Sequence, residues 1–183
     1  MARDPAIGVL ELNSIARGII STDAMAKAAP VNIALSQTIC PGKYIVMITG
    51  DEDPVRESMA IGRHYAGNYL VADILIPNIH EQVVPAISAV QTLDGLDSVG
   101  IIETFSVAGT ILAADAACKA AGIKLIEVRL ANGLGGKAYF TMSGEQADVE
   151  ASIAAGVEAL EPAMLVRSEI IPAPHADMSE ILL

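Results

Sequence analysis

The sequence predicts an α/β protein of the α+β kind, built as two tandem ferredoxin-like β-α-β-β-α-β units. Three observations carry that reading. The 183-residue chain divides into two parts of about 90 residues, each a viable globular size. It repeats itself along its whole length. Within each repeat, short β-rich runs and stretches of helical spacing follow in the order strand, helix, strand, strand, helix, strand, which places two helices on one face of a sheet.

The repeat is read in three registers. Ile7-Gly8-Val9-Leu10-Glu11 returns 92 residues later as Val99-Gly100-Ile101-Ile102-Glu103, and Ser14, Ala16, Asp23, Ala24 and Lys27 return as Ser106, Ala108, Asp115, Ala116 and Lys119. After the next loop the offset is 94, pairing Gly42-Lys43 with Gly136-Lys137 and Gly62 with Gly156, so one loop has grown by two residues. At the end it is 95, with Ile76-Pro77 and His80 matching Ile171-Pro172 and His175. The first copy therefore spans residues 5–92 and the second 97–183.

Each element of the first copy has a local reason. Ala6 to Leu12 is a short β-rich strand. Ser14 to Ala29 has helical apolar spacing and stops at Pro30, which cannot continue it. Val31 to Ile39 and Tyr44 to Thr49 are apolar runs around the turn signal Cys40-Pro41-Gly42-Lys43, so they form a hairpin. Asp53 and Pro54 supply an N-cap and a first-turn proline for a helix that runs to about Gly67. Leu70 to Ile76 is a strand closed by Pro77, and a short helix is expected over Glu81 to Ile87. The two copies join near Gln91 to Asp97.

Composition narrows the function. Hydrophobic residues make up 52%, charged residues 18%, and the mean hydropathy is +0.49, an apolar excess that excludes a disordered chain. So apolar a chain of this size implies that other subunits cover part of its surface. With 22 acidic against 11 basic residues, a formal charge of -11 and six aromatics, a nucleic-acid groove is excluded. No apolar run approaches the ~18 residues that span a bilayer, so no membrane partner is expected. The start, Met1-Ala2-Arg3-Asp4-Pro5, lacks a signal peptide's apolar stretch, and a cytoplasmic location is expected. No nucleophile elbow, metalloprotease histidine pair or Walker loop appears, and an enzyme is not expected. Glu11 and Glu103 recur at equivalent strand ends, which duplication explains more simply than an acid/base pair.

The duplicated unit resembles the bacterial microcompartment shell domain in its unpermuted strand order. Asp23-Ala24-Met25-Ala26-Lys27-Ala28-Ala29 and Asp115 to Ala121 match that family's helix signature, and Ile171-Pro172-Ala173-Pro174-His175 its C-terminal signature. Among tandem members, Thr38-Ile39-Cys40-Pro41-Gly42-Lys43 is similar to the iron-sulfur T-type shell proteins of propanediol-utilisation compartments. The resemblance implies a homotrimer that imitates a hexamer and tiles with other shell proteins around an enzyme-filled compartment. A redox enzyme inside that compartment is a further implied partner.

It also implies site residues. The loops between the second and third strands of each copy would line a central opening, giving Ile39, Pro41 and Gly42 from the first copy and Gly133, Leu134 and Gly135 from the second as pore-loop residues. Cys40 has Asn132 as its counterpart, so a ring of three chains holds three such thiols. Three thiolates can hold three irons of a [4Fe-4S] cluster and leave the fourth to a small ligand. Cys118, inside an Ala-rich helix, reads as a small core hydrophobe. Lys27 and Lys119 fall where the family places a tile-edge lysine, while Asn78 and Ala173 stand where an edge arginine often lies. His80 and His175 read as segment caps. Three functions stay open: a shell tile with an axial cluster that passes electrons or is itself transferred, a tile with a metabolite-conducting opening, and a discrete ferredoxin-like sensory trimer. Edge-to-edge sheet formation separates the tiles from the sensor, and iron content separates the two tiles.

Overall fold

The computed structural model describes residues 6–182, and its contacts divide the chain into two units between Ile79 and His80. In the first unit β1 (Ala6–Leu12) leads to α1 (Ile15–Ala28), β2 (Asn32–Ile39), β3 (Lys43–Gly50), α2 (Glu52–Ala66) and β4 (Leu70–Ile76). The sheet order is β2-β3-β1-β4 with every neighbour antiparallel. This is the split β-α-β-β-α-β arrangement the repeat predicts.

The helices start where local donors need partners. Ser14 caps α1 by accepting the Arg17 amide. For α2 the cap is Asp51 rather than the expected Asp53, and Pro54 lies two residues inside the first turn. The first-turn amides of a helix have no partner within it, so a proline anywhere there is tolerated and does not mark the start. A 3-10 turn, Gly67–Tyr69, returns the chain to β4.

The core of the first unit gathers Leu10, Leu12, Met25, Val46, Ile48 and Met59 between sheet and helices, all fully buried. Close approach requires a glycine on α1, because a Cβ on Gly18 would lie 2.2 Å from the Tyr44 ring. The Tyr44 hydroxyl is 2.9 Å from Ser36 Oγ, which is 3.0 Å from Thr22 Oγ1, and Thr22 donates to the Gly18 carbonyl. A chain of hydroxyls thus ties β3, β2 and α1 together, each oxygen satisfied.

The second unit repeats the order with β5 (Ser98–Thr104), α4 (Val107–Ala120), β6 (Lys124–Leu130), β7 (Ala138–Gly144), α5 (Gln146–Glu158) and β8 (Leu165–Ile171), giving a sheet β6-β7-β5-β8. Ser106 caps α4 as Ser14 caps α1. Its buried polar contacts differ. Thr110, the counterpart of Gly18, meets Thr104 at 2.6 Å, and the counterpart of Tyr44 is Ala138. On β6 and β7, Glu127 accepts from both the Tyr139 hydroxyl at 2.7 Å and Arg129. Burial and the bond to Glu127 push the Tyr139 hydroxyl above the ordinary tyrosine range.

The short helix expected over Glu81–Ile87 is α3 (Val83–Ser88), and the repeat assigns it to the first copy. Its contacts are with β6 and α4 of the second unit. Gln82 fixes it there, donating to the Ile123 carbonyl at 3.1 Å and accepting the Leu125 amide at 2.9 Å. A second short helix, α6 (Met178–Leu182), follows β8 and has no buried residue.

Candidate functional site

The two hairpin loops that duplication makes equivalent are built differently. In the first unit Cys40, Pro41 and Gly42 bridge β2 and β3, with a cis Cys40–Pro41 peptide bond and Gly42 at φ +75°. Cys40 is half-buried, Pro41 and Gly42 are exposed, and Ile39, the last residue of β2, is buried in the core. In the second unit the loop between β6 and β7 places Gly133, Gly135 and Gly136 at φ +73°, +62° and +92°, with Leu134 half-buried between them. Positive φ is open to glycine at little cost, which explains the glycines there.

Each loop is anchored at its base by an ion pair. Lys43, directly after Gly42, donates to Glu11 Oε1 on β1 at 2.7 Å, and Lys137 donates to Glu103 on β5 at 2.8 Å. The recurring glutamates are therefore partners of the recurring lysines. Nothing in the local sequence around Glu11 announces this, but the joint return of Glu11 and Lys43 as Glu103 and Lys137 was a readable signal. The Glu11 side chain is only 4% exposed, against 33% for Glu103. A carboxylate so deeply covered needs its counter-ion, whereas the second pair is close to a surface pair.

The two cysteines occupy contrasting settings. Cys118 lies on α4, buried, and desolvation with the nearby Asp115 carboxylate pushes its thiol up to about 12. It stays protonated at neutral pH and is a poor metal donor. Cys40 stands on a turn, outside the core, and both cysteines are free. Among the described residues no group of three or more His, Cys, Asp and Glu side chains could hold a metal ion. One chain thus offers Cys40 as a lone soft donor, and a cluster on it needs thiolates from further chains.

The recurring lysines form i,i+4 pairs on their own helices, Lys27 with Asp23 and Lys119 with Asp115, both at 2.6 Å. The first pair is well exposed, while Asp115 is buried and also accepts the His80 amide. The aspartates were part of the repeated helix block, so their pairing was legible from spacing. Both histidines accept, through Nδ1, the amide two residues on, from Gln82 and Asp177 respectively. That is the capping role expected of them. No helix among the described residues is long and apolar enough to cross a membrane.

Comparison with known proteins places this architecture. The BMC domain family matches residues 6–79 and again 98–174. The bacterial microcompartment shell protein PduT of Citrobacter freundii is 45% identical over 174 residues, covering 94% of this chain and 95% of that protein. The shell protein EutM of Salmonella typhimurium is 34% identical over 87 residues, which is 47% of this chain and 88% of that protein. The crystal structure of a microcompartment protein from Desulfitobacterium hafniense superposes with a TM-score of 0.90 at 46% identity, covering 97% of this chain and 99% of that one. The split sheets, the doubled helix block and the two family matches agree: the chain belongs to the BMC-domain family of bacterial microcompartment shell proteins, as a member with two domains in tandem.

Proposed function

We propose that three copies of this chain form a pseudohexameric ring that tiles with other shell proteins, with Cys40 of each copy at the central opening holding one shared [4Fe-4S] cluster. Family membership makes the chain a structural shell component and not an enzyme. The observation that carries the finer reading is the inequality of the two hairpin loops: a half-exposed thiol stands at the turn of one, and a glycine-rich loop with Asn132 replaces it in the other. Two domains per chain make three chains the natural way to set six similar units around an axis. Alternation then gives three thiols, enough for three irons of a cube.

When bound, such a cluster supplies one-electron transfer across the shell, or is itself the group handed on. What the chain contributes is a thiolate donor on a turn whose base is clamped by Lys43 and Glu11. The anchored turn holds the donor in place, and the exposed Pro41 and Gly42 flank it at the rim. The redox partner is an enzyme enclosed by the shell. Lys27 and Lys119 serve the outer edge, where their ammonium groups reach neighbouring tiles.

The second loop favours a second reading, a tile whose opening conducts metabolites. Gly133, Gly135 and Gly136 present a flexible rim with backbone amides suited to small anions. Anaerobic purification decides between them. The cluster reading expects one iron-sulfur cluster per three chains, loss of iron and visible absorbance in Cys40→Ser, and retention in Cys118→Ser. Absence of stoichiometric iron after anaerobic reconstitution leaves the metabolite opening. Native mass spectrometry of the same sample should give three chains per particle, and a stable monomer overturns the ring.

A further inference from the structure

The faces that the two sheets turn away from their helices differ in charge. Side chains alternate along a strand, so in the first unit Ile7, Val9 and Glu11 of β1 share that face with Lys43, Ile45 and Met47 of β3. The four apolar ones are at most 1% exposed. The residues that register sets beside them on β2 and β4, namely Gln37, Ile39, Ala72 and Ile74, are uncharged. Among the described residues, Glu11 and Lys43 thus form the single ion pair on an otherwise apolar sheet face.

In the second unit the equivalent face is crowded with charge. Glu103 and Lys137 share it with Glu127 and Arg129 on β6 and with Arg167 and Glu169 on β8, so three ion pairs stand where the first unit has one. Glu103 is also 33% exposed, against 4% for Glu11. Water and neighbouring charges damp the field of the second pair, whereas the first lies in apolar, weakly screening surroundings.

The isolated pair lies at the foot of the cysteine turn. Lys43 faces Ile39 across the hairpin, and only Cys40, Pro41 and Gly42 come between them in the chain. We infer that the pair acts on a cluster held by Cys40 through charge as well as through anchorage: Glu11 cancels the Lys43 ammonium and so keeps the cluster hard to reduce. This rests on the cluster reading proposed above. A cube held by three thiolates is already negative when oxidised, and the single electron it takes from a one-electron donor adds one more negative charge, with no bond made or broken. An uncancelled ammonium from each of three chains would favour that added charge. Glu11 is thus a positioning residue, acting on the cluster through Lys43.

The test is the midpoint potential of the anaerobically reconstituted protein, titrated with dithionite and read by electron paramagnetic resonance. Glu11→Gln removes the counter-charge and should shift the potential upward from that of the parent. Glu11→Ser makes the same change of charge with a second side chain and should shift it the same way. Glu11→Gln combined with Lys43→Gln restores neutrality and should bring the potential back, though the ion pair is gone. Glu103→Gln, whose partner lies among other charges, should move it least. A purely mechanical clamp predicts the opposite order, with the double variant furthest from the parent. An unmoved potential in both Glu11 variants, or a double variant that does not return, overturns the inference while the cluster reading stands. Loss of iron from the Glu11 variants at parental mass overturns it too, because an added positive charge favours an anionic cluster and the pair then acts only by holding the turn. A parent that takes up no stoichiometric iron overturns both readings.

Discussion

Lys43 reaches across from the first residue of β3 to Glu11 on β1, 2.7 Å from nitrogen to oxygen, and closes the base of the loop that carries Cys40. The glutamate is almost wholly covered, and so the pair cannot be dismissed as a surface ornament. Its counterpart between Lys137 and Glu103 is the internal control, with the same chemistry at greater exposure.

Removing each lysine should therefore have unequal cost. Lys43→Met leaves a buried carboxylate without its counter-ion and should destabilise the protein by about 2–4 kcal/mol. Lys137→Met should cost under about 1 kcal/mol. Urea unfolding of the two variants checks this, and equal costs would show that burial of Glu11 does not matter.

The cysteines should differ in reactivity. In cluster-free protein at pH 8, iodoacetamide should label Cys40 readily and Cys118 only after unfolding. For stability the sign is fixed: the folded thiol of Cys118 titrates at about 12, above its ordinary 9.0. Its contribution is complete below about pH 9 and is lost as pH rises from there through 12, on the order of 4 kcal/mol in all. The fall in urea midpoint between pH 8 and 11 should be shallower in Cys118→Ala than in the parent.

Gly18→Ala sets a helix gain of up to about 1 kcal/mol against collision with the Tyr44 ring, for which overpacking costs about 1–3 kcal/mol. A net loss of about 1–2 kcal/mol is expected. The double variant Gly18→Ala with Tyr44→Leu should recover part of it, measured as a thermal midpoint.

Lys27→Ala with Lys119→Ala should keep the oligomer and abolish extended sheets seen by electron microscopy. The Lys27 pair is exposed, so its loss should cost under about 1 kcal/mol, whereas removing Lys119 leaves the buried Asp115 with the His80 amide but without this counter-ion and should cost about 2–4 kcal/mol. Normal tiling by the double variant would remove these lysines from the edge.

Much of the fold was legible because it is written twice. The strand order and the hairpin turns follow from local patterns that recur, while the helix expected from Ser14 begins at Ile15 with Ser14 as its cap. The start of α2 was misread by two residues, since Asp51, Glu52 and Asp53 can all face unpaired amides and local chemistry does not choose among them. The seat of α3 was illegible for another reason: an amphipathic turn reveals that it covers an edge strand and not which one. At the loops, Cys40 and the glycines were visible as residue types, while the clamp on Glu11 joins positions 32 apart in sequence and appears only on folding.

The two buried hydroxyl systems bear on how a duplicated gene keeps its halves apart. Tandem copies in one reading frame invite recombination that would overwrite one with the other. Pasting the first hairpin into the second half would bring a tyrosine at position 138 against Thr110, where the first half has only the hydrogen of Gly18 to accommodate the ring. The reciprocal exchange would leave an alanine beneath Gly18 and a void where the Tyr44 ring stands, and would remove Ser36 with it. Either recombinant misfits its core. Interior shape thus acts as a barrier to gene conversion, and behind it the two loops were free to diverge.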